Sequence, residues 1–346
     1  MSVPRTLMLV SDRADGPRRE SIAMGQRPCP EYLRLEQKYG IELFDWSRLS
    51  PDATRRSALL SLKHVRAALS HTNEYDVIFT DGEHLGIPVA LALRAQRRRR
   101  PHLVLGHRLT GRFKRPFFQI LHAEAGMSRL LLHSTQQVDE AQRMGIHPSK
   151  LALVPYFADT DFWQPLPVEE EPLVVSAGQE HRDYVTLATA CGDMPEHVFV
   201  GAGSGHSPGA HWAVPAAWPA NFVSQKVDFV ALRSWYARAS VVVVPVLRTD
   251  FQAGVTTLLE AMAMGKAVVV TANRAHRDMV DDGVNAVLIP PGDHAAMRAE
   301  VRRLLDDSES RRRMGVAARA TVVAKYDLNN YCSRLATHIG DIAAAA

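Results

Sequence analysis

The sequence predicts an α/β fold made of two doubly wound parallel sheets in tandem, and three observations carry that prediction. Short apolar runs alternate with helical patterns along the chain, the arrangement of parallel sheets covered by helices. A polar, proline- and acid-rich segment, YFADTDFWQPLPVEEEP (156–172), interrupts the alternation, and a new first strand follows it. At about 100–200 residues per domain, a chain of 346 residues divides into two, each long enough to bury its own core.

In the first half, strands are expected at TLMLV (6–10), DVIFT (76–80), HLVLG (102–106), RLLLH (129–133) and LALVP (151–155). Helical patterns lie between them at 54–70, 86–100 and 135–145. The second half repeats the scheme with LVVSA (173–177), HVFVG (197–201), VDFV (227–230), SVVVVPV (240–246), AVVV (267–270) and AVLIP (286–290). Its helices are expected at 183–191, 231–239, 254–264 and 294–306, followed by a long helical tail broken near Tyr326-Asp327. The first domain is set at 1–165, the second at 166–325, and the closing helix at 326–346. Open parallel sheets bind ligands beyond the carboxyl ends of their strands, so two such domains facing each other leave a cleft.

With 46% hydrophobic and 23% charged residues, the composition is that of a soluble globular protein. No apolar run reaches the ~18 residues of a membrane span, and TLMLV reads as a buried strand rather than a signal-peptide core. Cys29, Cys191 and Cys332 are odd in number and form no CxxC pair, which points to a reducing cytoplasm and away from structural zinc. Residues 1–160 hold 24 Lys and Arg against 16 Asp and Glu, and residues 161–346 hold 17 against 21. The basic excess of the first half draws an anionic substrate or a lipid surface, or serves solubility alone.

The chemistry concentrates in DFQAGVTTLLEAMAMGKAVVV (250–270). SVVVVPV is a buried strand, LRTDFQ the loop at its carboxyl end, and a helix begins near Ala253-Gly254. The unpaired N–H groups of such a start, at Gly254, Val255 and Thr256, form an anion site favoured by the helix dipole. Gly254 lets a bulky anion approach the backbone. Glu260 lies six residues further on, roughly 9 Å along the axis. A diphosphate at the helix start would bring a ribose beside it, and one carboxylate accepts hydrogen bonds from two neighbouring hydroxyls. The plain alternative is an acid that complements the dipole.

GVTTLLEAMAMGKAVVV resembles the signature of the group 1 glycosyltransferases, retaining nucleotide-sugar enzymes of the GT-B fold. VPYFADTDFWQP (154–165) is similar to the family's domain-joining segment, and VSAGQEHRDYVTLATA (175–190) to its first C-terminal strand and phosphate loop. DMVDDGVNAVLIPPGD (278–293) and the tail through Tyr326 follow the same pattern. The resemblance implies two Rossmann-like domains facing across a cleft, the C-terminal one binding a nucleoside diphosphate sugar and the N-terminal one the acceptor. It also implies a final helix that crosses back to the N-terminal domain. The family has a pair of glutamates at the spacing of Gln252 and Glu260. Glu260 matches the ribose-binding member, while Gln252 departs from the one that contacts the donor sugar. Gln252 keeps an acceptor and loses the charge, which tolerates a second anion near the donor. In the phosphate loop after Gly178, Gln179 stands in an Arg-like place. Arg182 resembles the diphosphate-binding Lys; with the N–H groups of 254–256 it would stabilise charge on the leaving phosphate.

In the first half, His107 follows HLVLG and matches a family histidine near donor sugar and acceptor. His84 and Glu83, with Asp81, follow another strand and are candidates for the acceptor pocket. Arg13, Arg18 and Arg19 surround Gly16 where relatives carry a glycine-rich turn; Arg13 is a candidate acceptor contact, and all three are alternatively solvated. RAQRRRRP (94–101) reads as cations closing a helix. GRFKRPFFQIL (111–121) interleaves bases with Phe113, Phe117 and Phe118, as a lipid-docking segment or an acceptor lid would. FVGAGSG (199–205) lacks the helix that a dinucleotide fingerprint opens, and His206 and His211 share its loop.

The expected activity is metal-independent, retaining transfer of a sugar from a nucleoside diphosphate sugar to a small anionic or zwitterionic acceptor. His107, Arg182 and Gln252 carry the chemistry, and neither a cofactor nor nucleic acid is involved. A lipid acceptor, sugar-nucleotide epimerisation and a catalytically degenerate binding subunit are the alternatives. Peripheral membrane contact and a homodimer stay open.

Overall fold

The computed structural model describes residues 3–49, 58–96, 100–109, 114–201, 212–249 and 251–346. The chain forms two compact units, one of Met1–Met24, Cys29–Pro155 and Leu328–Ala346, the other of Gly25–Pro28 and Tyr156–Asp327.

Unit one holds six strands: β1 (Thr6–Leu9), β2 (Glu42–Phe44), β3 (Val77–Thr80), β4 (His102–Gly106), β5 (Arg129–Leu132) and β6 (Leu151–Leu153). All pair in parallel in the order β2-β1-β3-β4-β5-β6. Helices α1 (Gly16–Ala23), α2 (Glu31–Tyr39), α3 (Ala58–His71), α4 (Glu83–Ala95), α5 (Arg115–Gln119) and α6 (Thr135–Arg143) connect them. β1, β3 and β4 are buried throughout, as strands covered on both faces are.

Unit two repeats the plan with β7 (Glu171–Ala177), β8 (His197–Gly201), β9 (Phe222–Gln225), β10 (Ala239–Val244), β11 (Ala267–Thr271) and β12 (Val287–Ile289). These strands are parallel in the order β12-β11-β10-β7-β8-β9. Helices α7 (Tyr184–Cys191), α8 (Phe229–Arg238), α9 (Val255–Ala263), α10 (His294–Asp306) and α11 (Ser308–Thr321) cover the sheet. The chain starts at β7, runs outward through β8 and β9, then returns to β10 on the other side. β7 and β10 therefore bracket the topological switch point, where an open α/β sheet receives ligands.

A π-turn at Val322–Tyr326 follows α11, and the last helix, α12 (Leu328–Ala344), belongs to unit one. There it packs on α2, with Cys332 Sγ 3.7 Å from the Glu31 carbonyl and Arg129 donating to His338 Nδ1 at 2.8 Å. Among the described residues no helix is long and apolar enough to cross a membrane.

Several expectations need correction. VDFV (227–230) is not a strand, because the Asp228 carboxylate accepts the Ala231 N–H at 2.8 Å and caps α8. The strand falls earlier, at β9. The loop SDRADGPRRES contains α1, capped by Asp15 with a proline in its first turn. Strand β2 and helices α2 and α5 were not foreseen. Expectations resting on 54–57, 97–99, 111–113, 202–206, 211 and 250, including Phe113, His206 and His211, lie outside the described residues.

Candidate active site at the β7–β10 switch point

Arg182 follows β7 and is 4% exposed. Its Nε donates to the Ala177 carbonyl at 2.8 Å, Nη1 to the Glu180 carbonyl at 2.7 Å and Nη2 to Thr257 Oγ1 at 2.8 Å. A guanidinium has five N–H groups, so three bonds fix its plane and leave one N–H on each terminal nitrogen. Two glycines make its space. A Cβ on Gly178 would lie 2.3 Å from Nη2, and one on Gly254 would lie 3.5 Å from Nη1 and 2.9 Å from methyl groups of Val244 and Val246. Both glycines have positive φ, 95° and 84°, where a side chain is strained anyway.

Gly254 is the residue before α9, and no side chain caps that helix. Its neighbours are built differently. Asp183, Asp228, Asp293 and Asp307 accept N–H groups of α7, α8, α10 and α11 at 3.0, 2.8, 2.9 and 2.9 Å. Aspartate is a strong N-cap, and at α9 an αL glycine stands in its place. The start of α9 lies beside Arg182, so partial positive charge from the helix and a full charge from the side chain converge. Thr256 is exposed, whereas Gln252, Ala253, Gly254 and Val255 are buried.

Glu260 is 7% exposed, two turns into α9, and Tyr236 Oη donates to its Oε2 at 3.5 Å. Burial pushes its carboxyl up to about 8, against the lowering pull of Arg182 and Tyr236. It is a carboxyl that ionises readily only when further donors reach it. Unit two thus brings Gly178, Arg182, Gln252–Thr256 and Glu260 together at one strand edge. Thr257 and Tyr236, which orient Arg182 and Glu260, are not among the residues that sequence reasoning singles out. Gly178 holds its neighbours through its backbone, accepting from Tyr184 Oη at 2.6 Å.

At the carboxyl edge of unit one, Glu83 opens α4 and is 4% exposed. Its carboxylate accepts the His107 backbone N–H at 2.9 Å and pairs with Lys114, whose ammonium also donates to the Arg108 carbonyl at 2.8 Å. Burial alone would raise Glu83. The charges of Lys114 and His107 and these hydrogen bonds outweigh it and hold the carboxyl near about 2. Glu83 therefore shapes the loop after β4. His107 is exposed, and its Nε2 lies 2.7 Å from the Asp81 carbonyl. A carbonyl only accepts, so Nε2 is the donor in this contact. The His84 ring lies against Gly82, where a Cβ would be 2.7 Å from Nδ1. The arginines of the first loop are neutralised in place. Arg13 pairs with Asp15 at 2.6 Å, Arg18 with Asp12 at 2.7 Å, and Arg19 with Glu36. Arg13 supports the start of α1 through Asp15, the cap of that helix. Among the described residues no group of three or more His, Cys, Asp or Glu is arranged to hold a metal ion.

Residues 187–307 match the family described as Glycosyl transferases group 1. The chain is 36% identical over 66 residues to the putative glycosyltransferase EpsD of Bacillus subtilis, a match covering 19% of this chain and 17% of that protein. It is 34% identical over 79 residues to the alpha-D-kanosaminyltransferase of Streptomyces kanamyceticus, covering 23% and 20%. The matched segments thus span a fifth or less of either relative's length. Over the whole chain, sucrose-phosphate synthase from Thermosynechococcus elongatus superposes with a TM-score of 0.72 at 18% identity, covering 99% of this chain and 100% of that one. Anabaena HepE in complex with UDP-glucose superposes with a TM-score of 0.67 at 15% identity, covering 98% and 100%. Residues 187–307 therefore form a domain of the glycosyl transferases group 1 family, within a chain of the GT-B fold.

Proposed function

We propose that the chain is a metal-independent, retaining glycosyltransferase. It takes a nucleoside diphosphate sugar at the start of α9 and passes the sugar to a small acceptor bound by unit one. One observation carries this reading: α9 alone among the helices α7 to α11 begins without a carboxylate cap, and its free start lies beside Arg182. A diphosphate supplies the missing anion. Glu260, two turns along, accepts from the ribose hydroxyls, and Gln252 from a hydroxyl of the sugar.

In the transfer, the bond between the anomeric carbon and the diphosphate oxygen breaks, and the acceptor oxygen bonds to that carbon on the same face. Negative charge collects on the leaving phosphate. The two spare N–H groups of Arg182 and the N–H groups at the head of α9 stabilise it without moving. The acceptor's proton passes to a leaving-phosphate oxygen. His107 Nδ1 accepts from a sugar or acceptor hydroxyl. The acceptor is anionic or zwitterionic by the basic balance of residues 1–160. HepE was crystallised with UDP-glucose, which supports a diphosphate sugar as donor.

Thermal-shift screening against uridine, guanosine and adenosine diphosphate sugars tests the donor. One class should stabilise the protein, and Glu260→Ala should abolish the shift. Stabilisation by none of the three removes the reading.

The exposed apolar residues of α5 and of the two positions after it favour a second reading, a lipid surface as the seat of the acceptor. Phe117, Ile120 and Leu121 are 38%, 71% and 47% exposed next to Arg115. Salt-sensitive sedimentation with anionic vesicles checks it; absence of binding excludes it.

A further inference from the structure

His276 lies just beyond β11, outside the motifs singled out in the sequence, and is fully buried. Its Nδ1 is 2.8 Å from the Thr271 carbonyl and its Nε2 is 2.9 Å from the Ala253 carbonyl. Its backbone N–H donates to Asn273 Oδ1 at 2.8 Å. Ala253 immediately precedes Gly254, so this ring ties the end of β11 to the turn that begins α9.

The two carbonyls make contradictory demands on a neutral ring. Each can only accept, and a neutral imidazole carries one N–H. An imidazolium serves both. The neutral ring has a fallback at one nitrogen, because Asn273 Nδ2 stands 3.5 Å from Nε2. With its proton on Nδ1, the ring keeps Thr271, accepts weakly from Asn273 and releases the Ala253 carbonyl. One proton therefore separates a tied turn from a loose one. The groups offered by β11 and the turn are neutral, and the charged side chain acting on the ring is Arg182. Burial first, then the Arg182 charge, holds the imidazole below its usual value. A diphosphate seated against Arg182 cancels that repulsion.

We propose that His276 is a positioning residue for the donor. A nucleoside diphosphate sugar at the start of α9 draws a proton onto the ring, and the imidazolium then clamps the Ala253 carbonyl and fixes the Gln252–Gly254 turn. The clamp itself follows from the geometry of unit two, while its coupling to the donor rests on the nucleotide reading above.

Two measurements test it. In the free protein at acid pH, amide hydrogen exchange at Val255–Leu258 should quicken by about tenfold in His276→Leu, with β10 and β11 unchanged. His276→Gln, which keeps one donor, should restore protection. Unchanged exchange at the head of α9 overturns the clamp. If His276→Leu does not fold, His276→Gln carries the test through donor binding. Calorimetry with UDP-glucose and its guanosine and adenosine counterparts, in buffers of different ionisation enthalpy, reads the protons exchanged. Glu260 releases a proton of its own to solvent when the ribose hydroxyls bind it, so each quantity is the difference between wild type and His276→Gln. Wild type should take up more protons, and its affinity should fall by about one order of magnitude more steeply from pH 6 to 8. Donor binding with identical proton uptake and pH profile in both proteins overturns the coupling. Absence of binding to wild type overturns the nucleotide reading and the coupling together, leaving the exchange result to decide the clamp.

Discussion

Gly178 and Arg182 fit together so closely that a Cβ on the glycine would stand 2.3 Å from Nη2 of the guanidinium. The arginine is held by Ala177, Glu180 and Thr257, so any retreat from the glycine strains or breaks these bonds.

Gly178→Ala should therefore act on the donor site before it acts on the fold. Forcing an L side chain to a φ of 95° costs about 1–2 kcal/mol, a modest drop in melting temperature. Displacing Arg182 should weaken diphosphate-sugar affinity by about tenfold or more. Calorimetry beside a thermal melt checks this; equal losses in both would show a plain stability defect.

Arg182→Lys keeps the charge and loses the three-way anchoring, since an ammonium cannot reproduce the planar fork. Turnover should fall on the order of 100-fold, the scale of removing one preorganised donor from a developing anion. Thr257→Val frees only Nη2 and should cost several-fold less. Steady-state kinetics of both variants, with the wild-type donor and acceptor, separates them.

Glu260 makes stability depend on pH in a direction opposite to most acids. Its folded value of about 8 lies above the ordinary carboxyl value of 4.5, so between these limits the folded state holds the extra proton. Stability from this group is full below pH 4.5 and declines as pH rises toward 8, by up to ~1.4 kcal/mol per pH unit. Urea unfolding across pH 5 to 9 should show the decline, and Glu260→Gln should flatten it. An unchanged slope in the variant would assign the effect elsewhere.

Glu83 works in the other sense. Its carboxyl is held near about 2 in the folded protein, so its stabilising contribution is present above pH 4.5 and disappears as the pH falls toward 2. Glu83→Gln should cost ~2–3 kcal/mol at neutral pH, because it leaves Lys114 without its carboxylate, and should flatten the acid limb of the stability profile. Acid titration followed by circular dichroism measures both. The same variant should slow turnover, because Glu83 holds the His107 backbone.

Gln252→Glu tests whether a neutral group is needed beside the donor. Restoring the charge should lower turnover with an anionic acceptor by several-fold, the effect of a like charge at close range. Equal or better turnover would remove the anionic acceptor.

The strands were legible because burial on both faces leaves continuous apolar runs; SVVVVPV and HLVLG could hardly be anything else. The head of α9 was legible because Gly254 follows a continuous apolar strand and its polar loop and opens a run of helix-forming residues. Asp228 misled, since VDFV has the composition of a strand and only its capping bond reveals a helix start. β2 was missed because three residues give no period to read. Arg182 was found by position, but Thr257, Tyr236 and His276 were invisible. Each acts across 23 to 75 residues of sequence, and nothing local marks a hydroxyl or imidazole whose partner is brought in by a parallel sheet. The ion pair of Glu83 could not be read from the sequence because its lysine, Lys114, lies 31 residues away.

The return of α12 to unit one has a consequence for biosynthesis. Helix α2 acquires its partner only from residues after 327, which are translated after the rest of unit one. The second half of the polypeptide can close its sheet while the first still exposes the groove that α12 will fill. Maturation therefore runs against the order of translation, and a nascent chain stalled before Leu328 would present that uncovered groove to chaperones.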